Sequence, residues 1–360
     1  MNRLPDPRTP ASLPVDHPFA SLVEAAALTR SEGRHSRAWV TLVGALHRRL
    51  ARGEEREVTS LLEAAPPGLH GLCAAAVDDA VAGIDTPEDL ALATRVFLMP
   101  VLLVTGGLAP ATVAGVLPDA DALRATLRAA GALGPVETFA LGNALGAEAD
   151  ARAVGPVRLH ALVRQGAAGG PADLLAPAPL QLDDAAERAS LRFIAGVAVT
   201  PGHAPTFLET AGQAGRWAMA ASRLLAEHLG LPGLSLLPLP RPPMGWQCAL
   251  AEGRFAVEET ALHLFTASAV RTLRAESGDP RPVLASCSDG SVRLVLRSAF
   301  DPGRSLTHAW PLGPASDMGR VQDTITDLLR ACRLPEPEVV AEVVEPAQVP
   351  LTGGLPDLFG

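Results

Sequence analysis

The chain contains no lysine and no tyrosine. All 30 basic residues are arginine; asparagine occurs only as Asn2 and Asn143, isoleucine only as Ile84, Ile194 and Ile325. These four residue types share AT-rich codons, so a GC-rich coding sequence accounts for all the shortages together. The missing chemistry follows regardless of cause. Without lysine there is no Walker lysine to reach a nucleotide phosphate, so a standard P-loop is excluded. Schiff-base catalysis, including pyridoxal-phosphate attachment, is excluded as well. So are the protein-kinase lysine and the Ser-x-x-Lys hydrolases. Without tyrosine there is no phenolic nucleophile or acid.

Cysteine is scarce. Cys73, Cys248, Cys287 and Cys332 are far apart and form no C-x-x-C pair. That spacing argues against a zinc site or a disulfide framework. The nine histidines show no H-x-x-x-H pair and no H-E-x-x-H, so no metal site is expected from spacing. The glycine clusters at 105–110 and 140–146 lack the strand–turn–helix setting of a dinucleotide fingerprint, and no cofactor is expected. Long apolar runs are missing too. The longest, 96–104, is too short to span a bilayer and contains Pro100. Residues 1–18 lack the apolar stretch of a signal peptide. A cytoplasmic, reduced protein is expected, with no membrane association. The net charge of −9 argues against a broad nucleic-acid-binding surface. The cluster Arg48, Arg49, Arg52 and Arg56 reads as a solvated helix face.

What is present is ample core. Apolar residues make up 48% of the chain and charged residues 19%, a globular balance. Residues 1–18 are proline-rich and read as a disordered arm. Residues 19–150 read as an α-helical array or bundle. Ser21 and Glu24 have capping-box spacing, and Trp39, Leu42, Leu46 and Leu50 share a helical face. A further helix is expected from Thr86, with Pro87 in its first turn. The Gly/Pro/Ala-rich stretch 151–189 reads as a linker or loop. Residues 190–345 read as an α+β domain with a mixed sheet, starting with a buried strand over 190–200. A hairpin is expected around Glu252-Gly253, and a second, with a tight two-residue turn, around Asp289-Gly290. A strand over 305–312, a helix over 316–332 and a strand over 338–344 complete that domain. Residues 346–360 read as a flexible tail with an apolar end. The fold class is therefore α+β.

Two sets of residues stand out as candidate sites. If neighbouring strands bring them together, Cys287, Asp289 and His308 could form a thiolate, an orienting carboxylate and an imidazole. The plainer reading is a half-buried Cys, a turn Asp and a surface His. The acid pairs, among them Asp78-Asp79, read as helix caps or solvated faces, because adjacent acids diverge on a helix. The four tryptophans read as core anchors.

The other set is Leu355, Asp357, Leu358 and Phe359, following Gly353-Gly354. The run Leu355 to Phe359 resembles the short peptide by which bacterial replication and repair proteins dock on the sliding clamp. Asp357, Leu358 and Phe359 match that peptide, and Leu355 stands where it carries glutamine. The resemblance implies a clamp partner and a role in DNA maintenance. The diglycine with its short extension also resembles an unprocessed ubiquitin-like precursor. A tail packed on its own domain is the simplest alternative. Taken together, the residues suggest a non-enzymatic cytoplasmic interaction or accessory protein, a scaffold or adaptor with a protein partner. The rivals are a Cys287/His308 hydrolase or transferase and a clamp-associated accessory factor.

Overall fold

The computed structural model describes residues 3–8, 12–31, 36–83, 93–106, 111–117, 119–132, 138–165, 174–182, 188–200, 211–229, 236–301, 303–313 and 315–347. The chain is α+β, with N-terminal helices followed by a strand-rich C-terminal part, as expected. It forms two compact units. One comprises Ser12–Ala65 and Leu69–Val257; the other comprises Met1–Ala11, Pro66–Gly68 and Glu258–Gly360.

The larger unit opens with α1 (Ala20–Leu28), α2 (Arg37–Ala51), α3 (Glu55–Ala64) and α4 (Pro67–Val81). Local signals place α2 well. The Ser36 hydroxyl accepts the Trp39 N–H at 3.2 Å, and Leu42, Leu46 and Leu50 are buried at i, i+4 and i+8. Ser21 does not cap α1. That helix starts at Ala20, with the buried Phe19 in the cap position and no side-chain cap. Burial of Phe19 overrides the capping-box spacing there.

Next come β1 (Ala93–Thr105), β2 (Ala111–Val113), α5 (Ala120–Ala129), β3 (Thr138–Leu141) and β4 (Gly146–Ala147). They are followed by α6 (Glu148–Ala153), α7 (Pro156–Arg164), β5 (Leu180–Leu182), β6 (Arg188–Thr200), α8 (Ala211–Leu229), β7 (Leu236–Pro240) and β8 (Met244–Gly245). The main sheet has the order β3-β6-β1-β7, with β4 added on β6 and β8 on β1, and every pairing is antiparallel. The helix expected from Thr86 is not continued into this region. Residues 84–92 lie outside the described residues, and from Ala93 the chain is strand. The reason is burial on both faces. Val96 and Leu98 join a cluster with α1–α4 and α7, while Phe97, Met99, Val101 and Leu103 join one with α5 and α8. A strand apolar on both sides loses the period-2 alternation by which a strand is recognised.

Pro100 sits in this central strand without harm. Its carbonyl accepts the Arg241 N–H at 2.8 Å, so its nitrogen faces the same side, the break at 241–243 between β7 and β8. The one bond forgone is that from its own nitrogen to the Arg241 carbonyl, at the point where the ladder already breaks. On the outer strand β7, Arg241 N–H points inward, so by strand alternation Pro238 and Pro240 face outward and offer no N–H to an added strand.

The helix α9 (Trp246–Ser277) replaces the hairpin expected around Glu252-Gly253. A Cβ on Gly253 would stand 3.1 Å from Phe193 and 3.2 Å from Leu191 of β6. This glycine serves close helix–sheet approach, not a turn. The division between the units falls within α9, at Val257/Glu258. The 151–189 stretch, a linker by composition, contains α7 and β5 among its described residues.

In the smaller unit, β9 (Arg281–Ser286), β10 (Ser291–Arg297), β11 (Ser305–Pro311) and β12 (Glu338–Val339) form a sheet of order β11-β10-β9-β12, with β12 parallel to β9. Its helix α10 (Met318–Ala331) is capped by Asp317, which accepts the Arg320 N–H at 2.9 Å. The β9–β10 turn has three loop residues rather than two. Cys287 N–H donates to Ser291 O and Gly290 N–H to Cys287 O, with Gly290 at φ 75°. That is a type I turn closed by a left-handed glycine. The proline-rich arm is also docked where described: Leu4 is buried and its N–H donates to Gln322 Oε1, while Arg8 donates to the carbonyls of Gly313 and Ser316. A buried leucine and an arginine fork tie down a segment that composition alone reads as free.

Candidate functional site

The hairpin candidates come first. Cross-strand partners share a sheet face, and the register pairs Val292 with Ser286, Leu294 with Leu284 and Leu294 with His308. Cys287 lies opposite Ser291, on the face that carries Val283, Ala285 and Val295. His308 lies on the other face, with Leu284, Leu294 and Trp310. The two side chains therefore do not meet, because the strand period of two places odd and even positions on opposite sides.

Each of the three has a structural task. Cys287 is fully buried beneath Val340 and Val344, and burial raises its thiol pKa. The Asp289 carboxylate accepts the Ser291 hydroxyl at 2.6 Å and its N–H at 3.1 Å, and takes the Arg293 guanidinium at 3.0 Å. The Ser291 hydroxyl is the main cause of its lowered pKa. His308 stacks on Phe265 of α9 with ring centroids 5.2 Å apart, and burial lowers its pKa. A raised thiol pKa under an apolar cover makes a poor nucleophile. Cys287 is expected to react with iodoacetamide at pH 7.5 at least about tenfold more slowly than the half-buried Cys332. Peptide mass spectrometry over a time course measures both rates. Faster labelling of Cys287 than of Cys332 would restore the nucleophile reading.

The polar centre of the larger unit is a different constellation, built on α4. Leu72, Cys73, Ala76, Val77 and Ala80 form the buried stripe of that helix. Asp79 is in register with Leu72 and Ala76 and is itself buried, which is the sequence signal that a reading of Asp78-Asp79 as solvated overlooks. Its carboxylate pairs with Arg95 of β1 at 3.0 Å, and both side chains are almost wholly removed from water. The Trp39 indole N–H of α2 donates to the other carboxylate oxygen at 3.2 Å. One acid thus joins two helices to the sheet.

Asp78 points elsewhere, as adjacent helical acids must. Its two oxygens accept the N–H groups of Gln247 at 2.9 Å and Cys248 at 3.1 Å, first-turn donors at the start of α9 that have no acceptor within the helix itself. Gly245 makes room, since a Cβ there would collide with the Asp78 carboxylate. Desolvation raises the Asp78 pKa to about 6, against the lowering effect of the two backbone donors. Trp246, beside this cap, is buried and donates its indole N–H to Ala151 O at 2.9 Å. Trp217 and Trp310 are buried as well, in line with the core reading. These groups hold elements together.

Residues 352–360, with Leu355, Asp357, Leu358 and Phe359, lie outside the described residues. Among the described residues no helix is long and apolar enough to cross a membrane. Comparison of the chain with protein-family models, with curated proteins and with solved structures finds no match.

Proposed function

We propose that the chain is a non-enzymatic cytoplasmic interaction or accessory protein that engages a protein partner. The observation that supports this reading best is the sheet register that sets Cys287 and His308 on opposite faces, leaving the hydrolase or transferase alternative without its dyad. The partner-facing element of the proposal is the segment 352–360. Leu358 and Phe359 are its anchors, Leu355 adds a third apolar contact, and Asp357 supplies charge. Burial of a Leu or Phe side chain is worth roughly 1.5–3 kcal/mol. Ordering the backbone costs about 1–2 kcal/mol per residue, which over the segment exceeds what two anchors return, so docking needs a preformed pocket and backbone hydrogen bonds. Pro356 narrows the free ensemble before binding. The resemblance of Leu355 to Phe359 to clamp-docking peptides favours, as a second reading, a clamp-associated accessory factor.

The double substitution Leu358→Ala with Phe359→Ala tests the proposal. Thermal stability is expected to hold while recovery of the native partner is lost in affinity capture from the native host. A purified sliding clamp added in the same assay separates the second reading from the first. Lowered stability with unchanged recovery would mean that the tail packs on its own chain. If neither changes, the segment is inert and the docking proposal fails.

A further inference from the structure

His47 of α2 and His160 of α7 are 113 positions apart (160 − 47) and meet at the C-terminal end of α4. Their ring centroids are 4.9 Å apart, with the planes at 84°. His47 Nδ1 lies 3.2 Å from the Ala80 carbonyl oxygen, and His160 Nδ1 lies 3.2 Å from that of Val81. A carbonyl oxygen only accepts, so each Nδ1 carries the proton and donates it. In a neutral ring this leaves Nε2 as a bare lone pair. His160 is only 4% exposed, and its Nε2 has no hydrogen-bond partner. Capping the end of α4 accounts for both Nδ1 atoms. It does not account for a buried, unsatisfied Nε2, a state that folded proteins avoid.

We propose that His47 and His160 together bind one divalent transition-metal ion through their Nε2 atoms. Histidines that ligate metals characteristically donate their other ring N–H to a carbonyl or carboxylate, which fixes the tautomer and strengthens the donor nitrogen. Both rings have that second bond already, from consecutive carbonyls of one helix. The negative end of the α4 dipole favours a cation there. Imidazole selects zinc, copper or nickel over magnesium or calcium. Burial lowers the His160 pKa, the Val81 carbonyl acts against it, and His47 and Arg164 act with it. The Arg164 charge opposes the incoming ion and weakens the site. Among the described residues no group of three or more His, Cys, Asp or Glu side chains could hold a metal. With only two protein ligands the ion would be held more weakly than the four-ligand ions that hold small folds together. Sequence spacing could not reveal the pair, because its two members come from different helices.

The test is Zn2+ titration of the full chain by calorimetry at pH 7.5. One equivalent is expected to bind, and His47→Ala and His160→Ala are each expected to weaken it by about tenfold or more. The buried His160 could be needed for folding, so the unaltered chain is also loaded with one equivalent of Cu2+ and examined by electron paramagnetic resonance. Hyperfine structure from two imidazole nitrogens is the expected result. Zn2+ affinity unchanged in a folded His47→Ala/His160→Ala double variant would overturn the proposal. So would a Cu2+ spectrum with fewer than two nitrogens.

Discussion

Asp79→Ala is expected to lower the free energy of unfolding by about 3–5 kcal/mol, the loss typical when one partner of a buried ion pair is removed. The size follows from what is left behind. The Arg95 guanidinium, 3.0 Å from the carboxylate and with a side chain only 6% exposed, would keep its charge away from water without the Asp79 carboxylate beside it. The Trp39 indole N–H would lose its bond to Asp79 as well. Asp79→Ala combined with Arg95→Leu is expected to be less damaging than Asp79→Ala alone, because no charge is then stranded. Urea unfolding of the four proteins, unaltered, each single and the double, closes the cycle. A cost below about 1 kcal/mol for Asp79→Ala would be the value of an exposed pair and would contradict the burial described here.

The second large effect is a pH dependence carried by Asp78. Its folded pKa, about 6, lies above the ordinary carboxylate value, so the folded state holds the proton more tightly than the unfolded state. The stability this contributes is fully present below about pH 4 and is lost as the pH rises through about 6. A shift of this size corresponds to about 1–3 kcal/mol. Asp78→Asn removes the titration and keeps one oxygen to accept a backbone N–H at the start of α9. The variant is therefore expected to gain on the unaltered protein between pH 4.5 and pH 7.5. Subtracting the two unfolding curves cancels every other titrating group, since those groups are common to both proteins. A variant-minus-parent difference that stays constant over that range would show that Asp78 titrates as an ordinary surface acid. Asp78→Ala, which leaves Gln247 and Cys248 N–H groups without the carboxylate, is expected to be destabilised at both pH values.

Elements whose reason for forming is local carry their signals locally. The α2 cap at Ser36 and its leucine stripe, the caps at Asp119 and Asp317, and the alternation around β10 can all be read from a few neighbouring residues. Each is short-range physics: a hydroxyl or carboxylate three residues from an unsatisfied N–H, or an apolar residue at a fixed period. The absence of lysine and tyrosine removed whole classes of catalysis in the same direct way. The elements that were misread depend on distant partners. β1 looks helical because layers on both sides demand apolar residues at every position, and Pro100 is tolerated because of a break between two strands more than a hundred residues later. Gly253 looks like a turn until β6 is seen to pass beneath it.

The polar residues divide along the same line. Composition placed acids and histidines on the chain but not in environments. Asp78 and Asp79 are identical neighbours, yet one caps a helix that begins 168 residues later (246 − 78) and the other pairs with an arginine on the central strand. Cys287 and His308 are close in sequence and in the sheet, yet the parity of strand positions keeps them apart. His47 and His160 are distant in sequence, yet two consecutive carbonyls bring their rings together. The sequence by itself determined the fold class, the chemistries that are out of reach and the locally capped elements, because those depend on residue type and short-range spacing. Only the tertiary structure decided which polar groups meet, because desolvation and hydrogen-bond partnership are properties of packed neighbours and have no signature in linear order.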